Sequence, residues 1–365
     1  MDNYFHYLGT SPVKPFPFLS GMGLPGVGPS LLAGRGSAKE ARLHSPELRH
    51  AAPSLVRNPG KNFNCLVVLG PTASGKTRLA CRLADELHGE IISADSRQVY
   101  RGLDIGTGKD LSEYEVNGRK IPYHLIDVMD AGQQFYLHDF VNGLRDAFND
   151  IVNRGRLPVI CGGTGLYLDA LTRDYSYTQV KEDLSLRESL GQMTKELLVK
   201  KLKEYPDAFV KHVDTDSKKR LIRGIEIAEY LIKNGELEEA PLPVYKPYYL
   251  GIQVSVTERR KRIAERLHQR LKQGLIEEVE SLLKNGISIQ RLESLGLEYR
   301  FVASCLQGKM TREVMEQRLV TAINQFAKRQ MTWFRKMEKE GVQIHWVEPG
   351  DIPAVISEVK AIMRM

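Results

Sequence analysis

From Asn64 onward the chain alternates short apolar runs with longer segments whose apolar positions recur every three or four residues. The runs CLVVLG (65–70), EIIS (90–93), YHLIDV (123–128), LPVIC (157–161) and YLGIQV (249–254) are rich in Val and Ile and carry few charges. Strands buried on both faces of a parallel sheet read this way, and the intervening helical spacing predicts an α/β sheet with helices on both faces. Between about 175 and 245 the strands vanish. LRESLGQMTKELLVKKLKEYPDAF (186–209) and KKRLIRGIEIAEYLIKNG (218–235) have the pattern of amphipathic helices, which predicts a helical domain inserted at 175–246. After the fifth run the spacing is helical again at 262–286 and 314–338, until a last short strand at VQIHWV (342–347). The core is therefore expected in two parts, 63–174 and 247–365, and no internal repeat is evident.

The first sixty residues follow neither period. SPVKPFPFLSGMGLPGVGPSLLAGRGS (11–37) is dense in Pro, Gly and Ser, which predicts a disordered N-terminal extension over 1–62 that builds no core. Arg35, Arg42, Arg49 and Arg57 give it some likeness to a transit peptide, but no amphipathic helix accompanies them, so a plain tail or an upstream start is the preferred reading.

Composition narrows the class. With 365 residues, 42% hydrophobic and 27% charged, the chain is long enough for about two domains. No apolar run approaches the roughly 20 residues needed to span a bilayer, so no membrane role is expected. Cys65, Cys81, Cys161 and Cys305 are far apart, which suggests neither a zinc knuckle nor a disulfide framework and fits a reducing cytoplasm. The excess of 52 Lys and Arg over 45 Asp and Glu gives +7, which suits a polyanionic partner. His124 and His138 stand alone and are read as structural.

The chemistry begins at LVVLGPTASGKTRLA (66–80), where G-P-T-A-S-G-K-T follows an apolar run and opens a helical pattern. In such a loop Gly70 to Thr77 curl backbone N–H groups around a phosphate at a helix N-terminus. Lys76 adds a point charge, and the Thr77 hydroxyl can reach a bound Mg²⁺. A di- or triphosphate is the implied ligand, but kinases, nucleotide hydrolases and some transferases share the loop. GEIISADSRQVYRGLDIGTGKD (89–110) places Asp95 and Ser96 just past a strand, at the sheet edge where the phosphate loop also opens. There a carboxylate can hold Mg²⁺ through water or act as a general base. A second glycine loop, CGGTGLYLDAL (161–171), converges on the same edge with the Thr164 hydroxyl. In TERRKRIAERLHQRLKQG (257–274), Arg262, Arg266 and Arg270 fall four apart and line one helix face.

Seven motifs in this order resemble the tRNA dimethylallyltransferase family: GPTASGKT, SADSRQVYRGLDIGTGK, YHLIDV, GGTGLYL, KRLIRGIEI, RIAERLHQRLKQGLIEEV and AKRQMTWFR. The resemblance covers about 64 to 347 and implies a P-loop NTPase-like fold. It further implies transfer of a dimethylallyl group from dimethylallyl diphosphate to N6 of the adenosine beside a tRNA anticodon. Gly70, Pro71, Thr72, Ala73, Ser74, Gly75, Lys76 and Thr77 would then hold the diphosphate with Arg266, with Mg²⁺ on Thr77. Asp95, the candidate base, and Thr164 would be catalytic. Asp95, Ser96, Arg97, Gln98 and Thr164 would read the flipped adenine, while Arg187 and the stretch Lys219, Arg220, Leu221, Ile222 and Arg223 grip the RNA. Lys328, Arg329 and Arg335 are further candidates for the RNA backbone; Trp333 and Phe334 read equally as core. A monomer is the default expectation. The sequence departs from the family pattern at Gly108, usually Ala, at Asp110, usually Pro, and at Arg97, usually Met. The competing readings are a small-molecule kinase, an adenylate isopentenyltransferase and a non-enzymatic RNA-binding ATPase module. The second glycine loop and the basic tail argue against the first, the helical insertion and the tail against the second.

Overall fold

In the computed structural model the described residues are 63–363, apart from 174, 212, 236, 238–241 and 351. The extension expected at 1–62 lies outside them. Along the chain come β1 (Cys65–Leu69), α1 (Lys76–Glu86), β2 (Gly89–Ala94), a small antiparallel pair β3 (Glu115–Val116) and β4 (Arg119–Lys120), then β5 (Tyr123–His124), α2 (Leu137–Asn153), β6 (Leu157–Gly162) and α3 (Gly165–Asp169). Four helices follow: α4 (Leu184–Gly191), α5 (Lys195–Leu202), α6 (Asp207–Val210) and α7 (Lys218–Asn234). The chain returns through β7 (Pro247–Ile252), α8 (Val256–Lys272), α9 (Leu275–Lys284), α10 (Ile289–Leu295), α11 (Leu297–Leu306) and α12 (Arg312–Lys339), and ends with β8 (Ile344–Val347) and α13 (Ile352–Met363).

The six apolar runs form one parallel sheet in the order β5-β2-β6-β1-β7-β8. Every residue of β1 is fully buried, and the side chains alternate between two cores. Cys65, Val67 and Leu69 pack toward α2 and the end of α12, Leu66 and Val68 toward α1 and α13. Double coverage explains why these strands lack alternating polar positions. YHLIDV contributes only Tyr123 and His124 as strand, because Leu125 and Asp127 take positive φ (62° and 56°) and the backbone turns to pair with Gln98 and Val99. Two further cores lie off the sheet. One joins α8 to α12 with Val99 and Leu103, and the other is internal to α4–α7, centred on Leu198, Leu221 and Ile225. Among the described residues no helix is long and apolar enough to cross a membrane.

β1 pairs with β6 on one side and β7 on the other; the chain leaves β1 for β2 on the β6 side and later crosses from β6 past β1 to β7, so a crevice opens at the carboxyl end of β1. Both glycine loops and the residues after β2 lie there.

Candidate active site

The first glycine loop turns through left-handed positions at Ala73 (φ 60°) and Gly75 (φ 85°). Gly75 is the N-cap of α1, and no side chain caps that helix end. The first N–H groups of α1 and the positive end of its dipole therefore face the cleft, which favours an anion there. Lys76 and Thr77 line the same floor. Desolvation pushes the Lys76 ammonium below its usual pKa although its side chain remains partly open to the cleft, with Arg266 adding to the effect and Asp95 opposing it. An ammonium held down by burial gains from a polyanionic ligand.

The two glycine loops are held to each other by a residue that motif reading overlooked. Gln330, buried on α12, accepts from the Thr72 N–H through Oε1 (2.8 Å) and donates from Nε2 to the Gly163 carbonyl (2.9 Å). The motif AKRQMTWFR contains it, but nothing local shows that its partners lie 258 and 167 residues away. Its neighbours separate: Phe334 is core, whereas Trp333 lines the cleft with the Lys336 ammonium 4.8 Å from its ring centroid.

Asp95 follows β2 in a tight turn, its Oδ1 accepting the Arg97 N–H (2.9 Å). The neighbouring Ser96 N–H donates to Thr164 Oγ1 (3.1 Å), and the Thr164 N–H donates to the Ala94 carbonyl (3.2 Å). Asp95 is thereby fixed against the second glycine loop and opposite Lys76, and all of these residues line one cleft of ≈ 1110 Å³. Gln98 is also a cleft residue, but its side chain is spent internally, bridging Ser93 Oγ (2.9 Å) and the Gly108 carbonyl (3.2 Å). Arg97 donates to the Ser294 carbonyl (2.9 Å).

The far wall is the loop 103–110, and its support was not legible either. Glu278 on α9 accepts the backbone N–H groups of Asp104, Ile105 and Gly106 (2.9, 2.7 and 3.0 Å) together with the Tyr299 hydroxyl (2.7 Å). Lys109, 1% exposed, donates to the Tyr100 carbonyl (2.8 Å) and pairs with Asp104 and Asp127. A buried ammonium with two carboxylates and a carbonyl is satisfied, so Lys109 is structural.

Against this wall stand the three arginines of α8. Arg262 pairs with Glu258, Arg266 with Asp110, and Arg270 with Glu298 (3.2 Å) and the Gly106 carbonyl (3.3 Å). Burial pushes the Arg270 pKa down and the Glu298 pKa up. The departures at 108 and 110 share a structural reason. Gly108 has φ 61°, and a Cβ there would overlap the Arg270 guanidinium and crowd Arg266. Asp110 has φ 45°, which the fixed φ near −65° of a proline forbids, and its carboxylate holds Arg266.

The residues expected on RNA divide differently. Leu221 is fully buried in the core of α4–α7, so its side chain packs rather than binds. Arg187 donates to Glu226 through Nε and Nη2 (2.9 and 2.8 Å) and also pairs with Glu182 (2.7 Å). Arg223 pairs with Glu226 and donates to the Val180 carbonyl (2.7 Å). These two arginines hold the helical region together. Lys219 is exposed, Ile222 is partly buried, and Arg220 pairs with Asp214 while lying close enough to Lys336 to act on its charge.

No group of three or more His, Cys, Asp or Glu among the described residues is arranged to hold a metal. Mg²⁺ does not need one: it takes one or two protein oxygens and completes its shell with phosphate and water. The Thr77 hydroxyl and the Asp95 carboxylate, both on the cleft, are hard oxygen donors of that kind.

Fold and site together define a P-loop α/β enzyme whose phosphate cleft is shared with a second glycine loop and walled by arginines. The chain belongs to the IPP transferase family: the family model matches residues 98–337, and that of isopentenyl transferases matches 63–132. It is 49% identical over 302 residues to tRNA dimethylallyltransferase 1 of Geotalea uraniireducens, covering 83% of this chain and 97% of that protein. It is 47% identical to the protein of the same name from Syntrophus aciditrophicus, covering 82% and 99%. Among solved structures, the tRNA delta(2)-isopentenylpyrophosphate transferase of Staphylococcus epidermidis aligns with TM-score 0.58 and 31% identity over 82% of this chain and 98% of that one. A eukaryotic dimethylallyltransferase acting on tRNA shares the fold with TM-score 0.67 at 23% identity, over 82% and 78% of the two chains.

Proposed function

We propose that this protein transfers a dimethylallyl group from dimethylallyl diphosphate to N6 of the adenosine beside a tRNA anticodon, releasing diphosphate. The observation that carries the reading is the placement of Asp95 opposite Lys76 in one cleft, pinned by Ser96 and Thr164 to the second glycine loop. The diphosphate lies on the N–H groups of the phosphate loop and on Lys76, with Arg266 reaching it from α8. Thr77 would hold Mg²⁺, which would supply neutralisation of the leaving charge. N6 attacks C1 of the allyl group; the C1–O bond breaks and its electron pair leaves with the diphosphate. The N6 lone pair is delocalised into the ring, so loss of its proton to the Asp95 carboxylate as the bond forms assists the step. Charge gathers on the leaving oxygens, where Lys76 and the loop amides already point.

A duplex cannot present N6 to a cleft floor, so the target adenine lies in a loop and turns out of its stack, with the segment Asp95 to Gln98 beside it. Lys219, exposed at the start of α7, meets the RNA backbone. The protein acts as a cytoplasmic monomer.

Incubation with labelled dimethylallyl diphosphate and tRNA, AMP or ATP tests the reading: label is expected in tRNA alone, and transfer to a free nucleotide would refute it. Asp95→Asn tests the mechanism. It keeps the shape but takes no proton, so single-turnover prenylation of an anticodon stem-loop is expected to fall by roughly 10² to 10⁴, with substrate affinities little changed. Added Mg²⁺ restoring the rate would make Asp95 a metal partner instead of the base.

A further inference from the structure

On the face of α12 turned away from the cleft there is a second cavity of ≈ 730 Å³. It lies between the start of α8 and the middle of α12, and its lining includes Arg259, Arg260, Lys328 and Arg335. Arg259 is only 9% exposed, and its Nε is buried with no hydrogen-bond partner. Among the described residues none of these four cations has a carboxylate within ion-pair distance, whereas the three arginines that α8 turns to the cleft are each paired. No acid of the same helix or of α12 compensates them: Glu258 is taken by Arg262, and the lining of the cavity contains no Asp or Glu.

The unpartnered Nε of a guanidinium only 9% exposed is a desolvated donor that no described residue satisfies. Four cations gathered on one small concavity add mutual repulsion, and burial together with Arg260 and Arg335 pushes the Arg259 pKa down. An arrangement that is unfavourable empty becomes favourable once an oxyanion enters. The guanidinium fork suits phosphate geometry, and Lys328 and Arg335 at the rim match its remaining charge. We propose that this cavity is a second phosphate-binding site, separate from the phosphate loop, built on Arg259 and rimmed by Arg260, Lys328 and Arg335. The phosphate group comes either from the backbone of a bound RNA or from free phosphate in solution. Both present the same oxygens to the same cations.

The experiment uses the full chain, Arg259→Met, and the double variant Arg260→Gln/Arg335→Gln. Thermal midpoints are measured against inorganic phosphate, and tRNA binding is measured across a salt series. Any contribution of the phosphate loop is common to all three proteins and drops out of the differences. Without phosphate, Arg259→Met is expected to be at least as stable as the unaltered chain, because it removes an unpaired buried charge. Near-saturating phosphate is expected to raise the midpoint of the unaltered chain about 2–4 °C more than that of either variant. If RNA supplies the group, the double variant also binds tRNA more weakly, with a salt slope reduced by about one unit per lost contact. If free phosphate supplies it, the midpoint difference appears while tRNA binding and its slope stay unchanged. Equal midpoint shifts together with an unchanged salt slope would overturn the proposal. Should Arg259→Met fail to fold, the double variant decides alone, since Arg260 and Arg335 are exposed. None of these readouts measures prenyl transfer, so the result is independent of the activity proposed above.

Discussion

Helices α7 and α8 are both 17 residues long and both basic, yet their arginines, two on α7 and five on α8, do not share one fate. On α7, Arg223 shares the buried carboxylate of Glu226 with Arg187, and Arg220 is held by Asp214. On α8, Arg270 is paired but sits where burial lowers its pKa, and Arg259 and Arg260 have no carboxylate partner among the described residues. Basic composition therefore does not mark an anion site; the state of the partner does. Where a carboxylate already satisfies a guanidinium the cation is architecture, and where charges are gathered without compensation the fold is set up for a ligand.

The largest expected effect comes from Lys76, the cation to which the proposed function gives the diphosphate. Lys76→Ala should lower kcat/KM for dimethylallyl diphosphate by about 10²–10³, the usual worth of one donor aimed at developing charge. Equilibrium tRNA affinity should stay within about twofold. Because the Lys76 side chain is desolvated without ligand, its removal should leave the thermal midpoint unchanged or slightly raised. A marked fall in midpoint would place Lys76 with the structural cations and break the contrast.

Glu226→Gln probes the opposite side. It leaves Arg187 and Arg223 facing a neutral amide, and the expected cost is about 2–4 kcal/mol, somewhat below the full value for a buried pair because both arginines keep part of their surface in water. The sign of the pH dependence follows from the same contacts. Burial alone would raise the Glu226 pKa, but the hydrogen bonds from Arg187 and Arg223 outweigh it and hold the carboxyl below the usual range. That stabilisation is fully present above the unfolded pKa of about 4.3 and is lost as pH falls through the lower folded value. Acid unfolding should accordingly be steeper in the unaltered protein than in Glu226→Gln, while prenyl transfer per folded molecule at low temperature should hardly differ.

The contrast also explains what the sequence discloses. The six strands and both glycine loops are legible because period and glycine spacing are local, and the phosphate loop needs only its flanking strand and helix. Gln330, Glu278 and Glu226 are not legible. Each looks like an ordinary polar residue on a helix, and each owes its role to backbone or guanidinium groups that are distant in the chain or committed only in the folded state. KRLIRG and RIAERLHQR look equally suited to phosphate until the acids opposite them are known. The strand at YHLIDV is overestimated for a related reason: its apolar residues are buried, but Lys109 and the Val99 carbonyl redirect the backbone after His124.

The smallest expected effect lies where the two classes meet. Arg266 lines the cleft, yet its guanidinium is held by Asp110. In the proposed reaction, diphosphate competes with that carboxylate for the arginine. Asp110→Asn removes the competing charge, and asparagine tolerates the left-handed backbone at this position (φ 45°), so the loop keeps its turn. Proline would not serve as the test, because its ring excludes that φ. The Asp110 side chain is 42% exposed, so the pair is worth only about 0.5–1 kcal/mol, which corresponds to a two- to fivefold lower KM for dimethylallyl diphosphate with kcat unchanged. The gain should fade at high ionic strength, as an exposed pair is screened by salt. A raised KM would mean that Asp110 orients Arg266 toward the diphosphate instead of withholding it, so that a carboxylate partner can also prepare a cation for its ligand.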